Sequence, residues 1–195
     1  MDEGFLARPS FEVLDLDAKP YAATADPNVD SDEEDDGTAN EIASSAAYLA
    51  AVVRAVERLV GDGHNRLIVF AASVPHAETL ASLLRVRGIG AEAVTGDTPK
   101  GKRDGAISRF KQPGDARALV NFGVLTTGFD APATSAAVIA RPTRSLVLYS
   151  QMVGRSIRGT KAGGNDTARI VTIVDPELPG FGSVAAAFTN WEDVW

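Results

Sequence analysis

Short, mostly apolar runs alternate with helical patterns along the chain. Apolar spacing and capping residues predict a helix from Asn40, as its N-cap, to about residue 61, and further helices that open at Pro75 and at Thr98 with Pro99. Runs of strand length that are typical of buried parallel strands cover residues 67–71, 91–95, 117–121, 135–140 and 170–174. This alternation predicts an α/β fold of three layers, a mostly parallel sheet with helices on both faces.

A sheet of this kind places its polar connections at one edge. Ligands of open α/β sheets bind at the carboxyl ends of the strands. The loops that are expected to share this rim follow Phe70, Val94, Val120 and Ile139. Arg141 and Arg144 come directly after the last of these strands and could line the cleft.

The two ends of the chain do not follow this pattern. Residues 11–17 alternate apolar and acidic positions and could form a short edge strand, whereas the acidic run at 26–37 is typical of a solvated connector. We therefore divide the chain into a partly disordered acidic connector (1–40), an α/β domain (41–175) and an aromatic C-terminal extension (176–195). The extension is expected to pack on that domain or on a missing neighbour.

Composition and charge limit the class of protein further. The 195 residues are 45% apolar and contain no cysteine, which suits a reducing, cytoplasmic location, and no apolar run approaches the roughly 20 residues of a membrane span. The net charge of −7 is unevenly distributed, because residues 1–40 hold 12 acidic and 2 basic residues and carry −10. Residues 41–195 carry +3, which is compatible with a phosphate-bearing partner.

Two motifs carry most of the candidate chemistry. The first, at 126–132, reads Thr-Thr-Gly-Phe-Asp-Ala-Pro, and the second, at 151–158, reads Gln-Met-Val-Gly-Arg-Ser-Ile-Arg. Spacings of four and three predict that Gln151, Arg155 and Arg158 project from one face of a helix. No acidic residue lies three or four positions from either arginine. Arginine forks beside a glycine that allows close approach suit a polyphosphate ligand.

In this order and spacing the two motifs resemble motifs V and VI of superfamily two helicases. The resemblance is nearest to the motor subunits of restriction enzymes and related DNA translocases, and it covers roughly residues 66–175. It implies a RecA-like lobe of the P-loop NTPase type, the C-terminal one of two. It also implies ATP with Mg²⁺ at an interlobe site shared with an N-terminal RecA-like lobe, and a DNA or possibly RNA track.

The resemblance also assigns roles to individual residues. Arg155 and Arg158 would reach the triphosphate, one of them as an arginine finger, with Gln151 beside the γ-phosphate. The implied nucleotide-binding residues are Gly128, Asp130 and Gly154, and the implied nucleic-acid contacts are Ser73, Thr95, Gly96, Arg109, Thr126 and Thr127. For Ser73, Thr95 and Arg109, capping, turn or solvated roles stay open beside the nucleic-acid role.

One further pattern imitates a phosphate-binding loop. Residues 96–102 satisfy Gly-x-x-x-x-Gly-Lys, but Arg103 stands where a Walker A loop needs Ser or Thr for magnesium, and Pro99 removes a backbone donor. The acidic run near residue 33 follows no buried strand, so it is not the Asp-Glu box of a helicase. No metal site is predicted, because His64 and His76 lack partners at suitable spacing and are expected at the surface.

The functional expectation follows from these gaps. The resemblance implies that the Walker A loop and the acidic box belong to the other lobe, so this chain alone would be inactive, as a fragment or as half of a split motor. A non-catalytic RecA-like module that binds nucleic acid or protein is the alternative, and the presence of both motif VI arginines disfavours it. The sequence leaves open DNA versus RNA, polarity, and unwinding versus translocation.

Overall fold

The computed structural model describes residues 4–16, 45–124, 131, 133–143 and 145–174. The described strands are β1 (Arg8–Asp15), β2 (Arg66–Ala71), β3 (Gly90–Thr95), β4 (Arg117–Phe122), β5 (Ala136–Ala140) and β6 (Thr167–Val174). The described helices are α1 (Ala46–Gly61), α2 (Val74–Val86), α3 (Lys100–Lys111), α4 (Leu146–Gly154) and a short 3-10 helix, Thr160–Ala162. The predicted alternation of strands and helices is confirmed for this part of the chain.

The described strands form one six-stranded sheet in the order β1-β6-β5-β2-β4-β3. Every described pairing is parallel, with Ile68 beside Leu119 on one side of β2 and beside Ala137 on the other. Strands β2, β4 and β5 lie inside the sheet and are buried along almost their whole length. This is why they appear in the sequence as continuous apolar runs rather than as alternating ones.

Successive side chains of the central strands pack against opposite layers of helices. Val69 and Val120 belong to a cluster that includes Leu80 of α2 and residues of α1. Ile68 and Leu119 belong to a second cluster, which takes in residues of α3 and α4. The two clusters on opposite faces of one sheet confirm the predicted three-layer arrangement.

Serine hydroxyls set the starts of three helices. The Ser45 hydroxyl accepts a hydrogen bond from the Tyr48 N–H at 3.4 Å, so α1 begins at Ala46. Asn40 lies outside the described residues, and the prediction that it caps this helix is wrong because Ser45 occupies that position. The Ser73 and Ser145 hydroxyls cap α2 and α4 in the same way, each accepting from the N–H three residues later.

Strand β1 brings part of the predicted connector into the sheet. The predicted edge strand is confirmed, and it pairs with β6 along all eight of its residues, from Arg8 to Asp15. Phe11 packs against one helical layer and Leu14 against the other. The predicted boundary at residue 40 therefore separates β1 from its own sheet, whereas residues 17–44 and 175–195 lie outside the described part.

Among the helices in the described ranges, none combines the length and the apolar character needed to cross a membrane.

His76, which was predicted at the surface, is 1% exposed. The Nδ1 atom of its ring accepts a hydrogen bond from the Ala72 N–H at 3.1 Å. This bond holds the ring in the interior, at the N-terminal end of α2.

Candidate functional site

The loops after β2, β4 and β5 meet at the carboxyl end of the sheet. They surround a small pocket whose floor is formed by α4. The residues that line it are Phe70, Asn121, Gly123, Arg141, Leu148, Gln151 and Met152. Because β5, β2, β4 and β3 are adjacent and parallel, the loops that follow them leave from one edge of the sheet, which confirms the predicted shared rim. The loop after β3 opens instead into a separate groove between α2 and α3.

Arg141 lies over an aromatic ring at this rim. Its guanidinium carbon is 5.0 Å from the centroid of the Phe122 ring, at the end of β4, which β2 separates from β5 in the sheet. Burial lowers the pKa of the Arg141 guanidinium. Beside it, the Asn121 side chain accepts a hydrogen bond from the Val124 N–H at 3.3 Å and so directs the loop that leaves β4. Arg141 therefore lines the rim pocket, and Arg144 lies outside the described residues.

Helix α4 is fixed to the sheet by its inner face. The Tyr149 hydroxyl and the Thr172 hydroxyl of β6 are 2.8 Å apart in the interior, and Met152 and Val153 are buried beside them. Burial raises the pKa of the Tyr149 phenol, so it stays protonated and available as a hydrogen-bond donor. Gln151 is exposed and lines the rim pocket together with Leu148 and Met152.

The prediction that Gln151, Arg155 and Arg158 share one helical face is wrong. Helix α4 ends at Gly154, and Arg155 is its C-cap residue with φ −74° and ψ −21°. Arg158 lies beyond the turn that follows, in an isolated antiparallel bridge with Leu6. The helix stops because the backbone after it pairs with the N-terminal segment, a contact between residues that are distant in the sequence.

Three glycines in this region differ in what surrounds them. A Cβ atom added at Gly154 would meet no heavy atom within 4 Å, so packing does not require glycine there. A Cβ atom added at Gly159 would lie 2.7 Å from the Leu6 amide nitrogen, and one at Gly164 would overlap the Arg158 carbonyl. Gly154 thus leaves open surface beside Arg155, whereas Gly159 and Gly164 are explained by close backbone packing.

Several predicted site residues fall in the first motif. Thr126, Thr127, Gly128 and Asp130 all lie outside the described residues.

The predicted nucleic-acid residues of the described part have roles within the protein. Ser73 is 7% exposed and caps α2, and Thr95 is 4% exposed and donates its N–H to the Thr98 hydroxyl at 2.9 Å. Arg109 forms a two-pronged ion pair with Glu92, at 2.9 and 2.6 Å, which raises the pKa of Arg109 and lowers that of Glu92. Gly96 differs from these three, because it is exposed and has open space around it.

The loop that imitates a Walker A motif is held by a hydrogen bond from the residue that follows it. Arg103 donates to the Thr98 carbonyl at 3.2 Å, so its guanidinium turns back into the loop. Strand β3, which leads into the loop, is an edge strand of the sheet. Within the described ranges, no group of three or more His, Cys, Asp or Glu residues could hold a metal ion.

Sequence reasoning did not single out Asn121, Phe122, Asn165 or Leu6. Asn121 carried a usable signal, because it is a polar residue that ends an otherwise apolar strand. Asn165 and Leu6 carried none, since both act on Arg158 through backbone pairing, and no local pattern shows that contact.

Comparisons with known proteins agree with this geometry. The family model of the helicase conserved C-terminal domain matches residues 51–160. The putative ATP-dependent helicase IRC3 of Saccharomyces cerevisiae is 36% identical over 91 residues, which are 47% of this chain and 13% of that protein. The EcoKI endonuclease subunit of the type I restriction enzyme of Escherichia coli K12 is 29% identical over 124 residues, 58% of this chain and 11% of that one.

A solved structure supports the fold. Domain 2 of the DEAD-box helicase Mss116p, bound to an RNA duplex, has a TM-score of 0.56 at 20% identity and covers 73% of this chain and 57% of that one. The predicted RecA-like fold is confirmed by this likeness and by the parallel sheet. The matches to the two curated relatives span little more than a tenth of their lengths.

Proposed function

Because the chain belongs to the family of helicase conserved C-terminal domains, we propose that it is the C-terminal motor lobe of an ATP-dependent DNA helicase or translocase. Its membership of superfamily two, expected from motifs V and VI, is confirmed by the family match and by the helicase and restriction-enzyme relatives. The observation that carries the finer proposal is the end of α4. Gln151, the open surface at Gly154 and the capping residue Arg155 follow one another beside the pocket at the carboxyl rim of the sheet.

In this proposal, the end of α4 supplies half of an ATP site. Arg155 and Arg158 approach the triphosphate, and a planar guanidinium meets two phosphate oxygens at once. Gly154 lets the phosphates come close to the backbone, and Gln151 donates a hydrogen bond from the rim. ATP supplies the phosphoryl group that is transferred to water.

The other half of the site comes from an N-terminal RecA-like lobe. The resemblance to helicases assigns Mg²⁺ to that lobe, whereas this chain would offer arginines to the phosphates. Each lobe then contributes part of the site, and hydrolysis requires that the two lobes close together. An arginine finger that arrives by closure stabilises the charge that develops on the transferred group.

The track for nucleic acid is proposed along the same rim. Thr126 and Thr127 would contact phosphates, and Gly128 and Asp130 would hold the nucleotide beside motif VI. Of the other candidates, Gly96 is the best placed, because its exposed backbone is open to a phosphate. Ser73, Thr95 and Arg109 are already engaged within the protein and would contribute mainly by holding their loops. The motif at 126–132 is the feature that favours DNA over RNA.

The test uses this chain alone and together with the N-terminal lobe of its motor. Alone, with or without single-stranded DNA, it should show no ATP turnover, and adding the N-terminal lobe should produce DNA-stimulated turnover. Turnover by the isolated chain that disappears on changing Lys102 would contradict the proposal, since the 96–102 loop would then bind ATP. Absence of turnover in the complete pair would favour the non-catalytic binding module.

The arginine finger has its own prediction. In the complete pair, Arg155→Lys should lose much of the roughly 10³–10⁵-fold contribution of such a finger to kcat, with little change in ATP affinity. Lysine keeps the positive charge but lacks the planar guanidinium that meets two phosphate oxygens at once. The loss of an interaction made only in the transition state lowers kcat and kcat/KM equally. The control is Arg54→Lys on the exposed side of α1, which should behave as wild type. A normal kcat for Arg155→Lys would remove Arg155 from the chemical step.

A further inference from the structure

The N-terminal segment pairs with the backbone that carries Arg158. The Ala7 N–H donates to the Ile157 carbonyl at 2.8 Å, and the Gly159 N–H donates to the Phe5 carbonyl at 2.9 Å. These two bonds flank Leu6 and Arg158, which therefore face each other as a non-hydrogen-bonded antiparallel pair. In such a pair the two side chains point to the same face and come closest together.

The pairing continues past this bridge. The Lys161 N–H donates to the Gly4 carbonyl at 2.9 Å, and the Lys161 ammonium lies 5.4 Å from the centroid of the Phe5 ring. The N-terminal segment thus runs along residues 157–161, the end of motif VI and the residues after it, before it enters β1.

A second segment holds Arg158 from the other side. The Asn165 N–H donates to the Arg158 carbonyl at 2.9 Å, and the Asn165 side-chain amide donates to the Thr134 carbonyl at 2.9 Å. The Gly164 N–H donates to the Gly159 carbonyl at 2.8 Å, which closes the turn between them. Asn165 therefore connects the backbone of Arg158 to the segment that leads into β5.

Two glycines allow these backbones to approach so closely. A Cβ atom at Gly159 would overlap the Gly4 carbonyl and would lie 2.7 Å from the Phe5 carbonyl carbon, and one at Gly164 would overlap the Arg158 carbonyl. The overlapping atoms belong to the backbone, so no side-chain rotation could relieve them. Gly159 has an ordinary negative φ of −82°, so close packing rather than backbone conformation requires glycine there.

We propose that residues 4–7 and 164–165 form a clasp that positions Arg158 for the interlobe cleft, with Leu6 and Asn165 as its positioning residues. The proposal rests on the function proposed above. Arg158 lies outside α4, so the helix does not set the direction of its side chain. The clasp fixes the backbone on both sides, and a cation that is held before the reaction costs less ordering when the cleft closes. The direction of Arg158 then depends on the chain that precedes β1.

The first test examines the clasp without any enzymatic assay. By hydrogen exchange, the amides of Ala7, Lys161 and Asn165 should be protected in the wild-type chain and should exchange much faster in Gly159→Ala. The control is Gly61→Ala, at the last position of α1, where an added Cβ would meet nothing within 4 Å. Amides of β2 and β4 should keep their protection in both variants. Unprotected Lys161 and Asn165 amides in the wild-type chain would overturn the clasp. If Gly159→Ala does not fold, Asn165→Ala gives the same readout by removing one side-chain donor.

The second test asks whether the clasp acts through Arg158. In the complete pair of lobes, Leu6→Glu places a carboxylate opposite Arg158 and should lower kcat about as much as Arg158→Gln does, whereas Leu6→Met should keep it. When Arg158→Gln is already present, Leu6→Glu should cause no further loss. An additive loss in the double variant, or a normal kcat for Leu6→Glu, would overturn the positioning role even if Arg158→Gln is impaired. A normal kcat for Arg158→Gln would instead refute the assignment of Arg158 to the cleft, while the exchange data would still decide whether the clasp exists.

Discussion

The glycines at positions 154, 159 and 164 do not share one physical explanation. At Gly159 and Gly164 the neighbouring backbone leaves no room for a side chain. At Gly154 the space is open and φ is not positive, so neither packing nor backbone conformation explains the residue. Glycine in a helical residue whose φ is not positive also costs stability relative to alanine. The proposed approach of a ligand to this surface would explain the glycine, which makes Gly154 a test of the proposed ATP site.

Gly154→Ala should therefore separate stability from activity. The change should leave the free energy of unfolding unchanged or raise it by up to about 1 kcal/mol, because alanine restricts the unfolded chain and fits the helix. In the complete pair of lobes, however, ATP turnover should fall, since the new methyl group occupies the approach to the phosphates.

The matched control for this prediction is Gly61→Ala. Gly61 also ends a helix and also has open space around it, but it lies at the end of α1, far from motif VI in the sequence. Urea denaturation and steady-state ATPase assays on both variants provide the comparison. Equal turnover in the two variants would show that nothing approaches Gly154 closely during the reaction.

Elements were predictable where the signal was local. Strands β2, β4 and β5 appear as apolar runs because both of their faces are covered, and the capping serine and early proline of α2 mark its start within a few residues. The end of α4 was not predictable in this way. The spacing of Gln151, Arg155 and Arg158 is compatible with a helix. The backbone at Arg158 instead pairs with Leu6, which is 152 positions away in the sequence.

The position of strand β1 in the sheet was also not predictable from its local sequence. Its alternation of apolar and acidic residues indicated an edge strand, but its charge placed it in the connector. The charge at Glu12 has a structural role, because its carboxylate oxygens form ion pairs with guanidinium nitrogens of Arg58 in α1, at 2.7 Å, and of Arg169 in β6, at 2.6 Å. The acidic position is therefore part of the attachment of β1 to a helix and to its neighbouring strand.

Glu12→Gln should weaken this attachment measurably. Burial raises the pKa of the Glu12 carboxyl, but the hydrogen bonds from Arg169 and Arg58 lower it by more, so its pKa lies below the ordinary value. A carboxyl with a lowered pKa stabilises the folded state at neutral pH, and this contribution is lost as the pH falls through its folded pKa. At pH 7 the variant should lose about 1–2 kcal/mol of unfolding free energy, less than two fully buried pairs would give because Arg58 and Arg169 are 44% and 38% exposed, and the loss should be smaller in acid.

Glu57→Gln is the control for this charge. The Glu57 carboxylate lies 3.4 Å from Arg87, but both side chains are more exposed than Glu12, and such pairs contribute about 0–1 kcal/mol. Urea denaturation of both variants at pH 7 and pH 4 compares them. Equal losses at pH 7, or a loss for Glu12→Gln that does not shrink in acid, would contradict the role given to Glu12.

The whole chain separates its charges. Residues 1–40 carry −10 and residues 41–195 carry +3, and six of the acidic residues fall between positions 30 and 36. A negative segment on the same chain competes with nucleic-acid phosphates for a basic surface, and this competition is screened by salt. Removing residues 1–40 as a whole would not isolate this effect, because β1 would be lost with them.

Neutralising the six acidic residues between positions 30 and 36, with Asn for Asp and Gln for Glu, isolates the effect of charge. At about 0.05 M salt, the variant should bind single-stranded DNA more tightly than the wild-type chain, without preference for base sequence. Each phosphate contact adds about 0.7 to the slope of log affinity against log salt, and a single lobe makes few of them, so binding should be weak in both proteins. The difference should shrink near 1 M salt, where the screening length is about 3 Å.

Fluorescence anisotropy with DNA and RNA oligonucleotides of equal length measures this binding. A control variant with the same six acidic residues in shuffled order should bind as the wild-type chain does. Unchanged affinity after neutralisation at low salt would mean that the acidic segment does not compete for the surface that binds nucleic acid. Tighter binding of RNA than of DNA would contradict the proposal that the track is DNA.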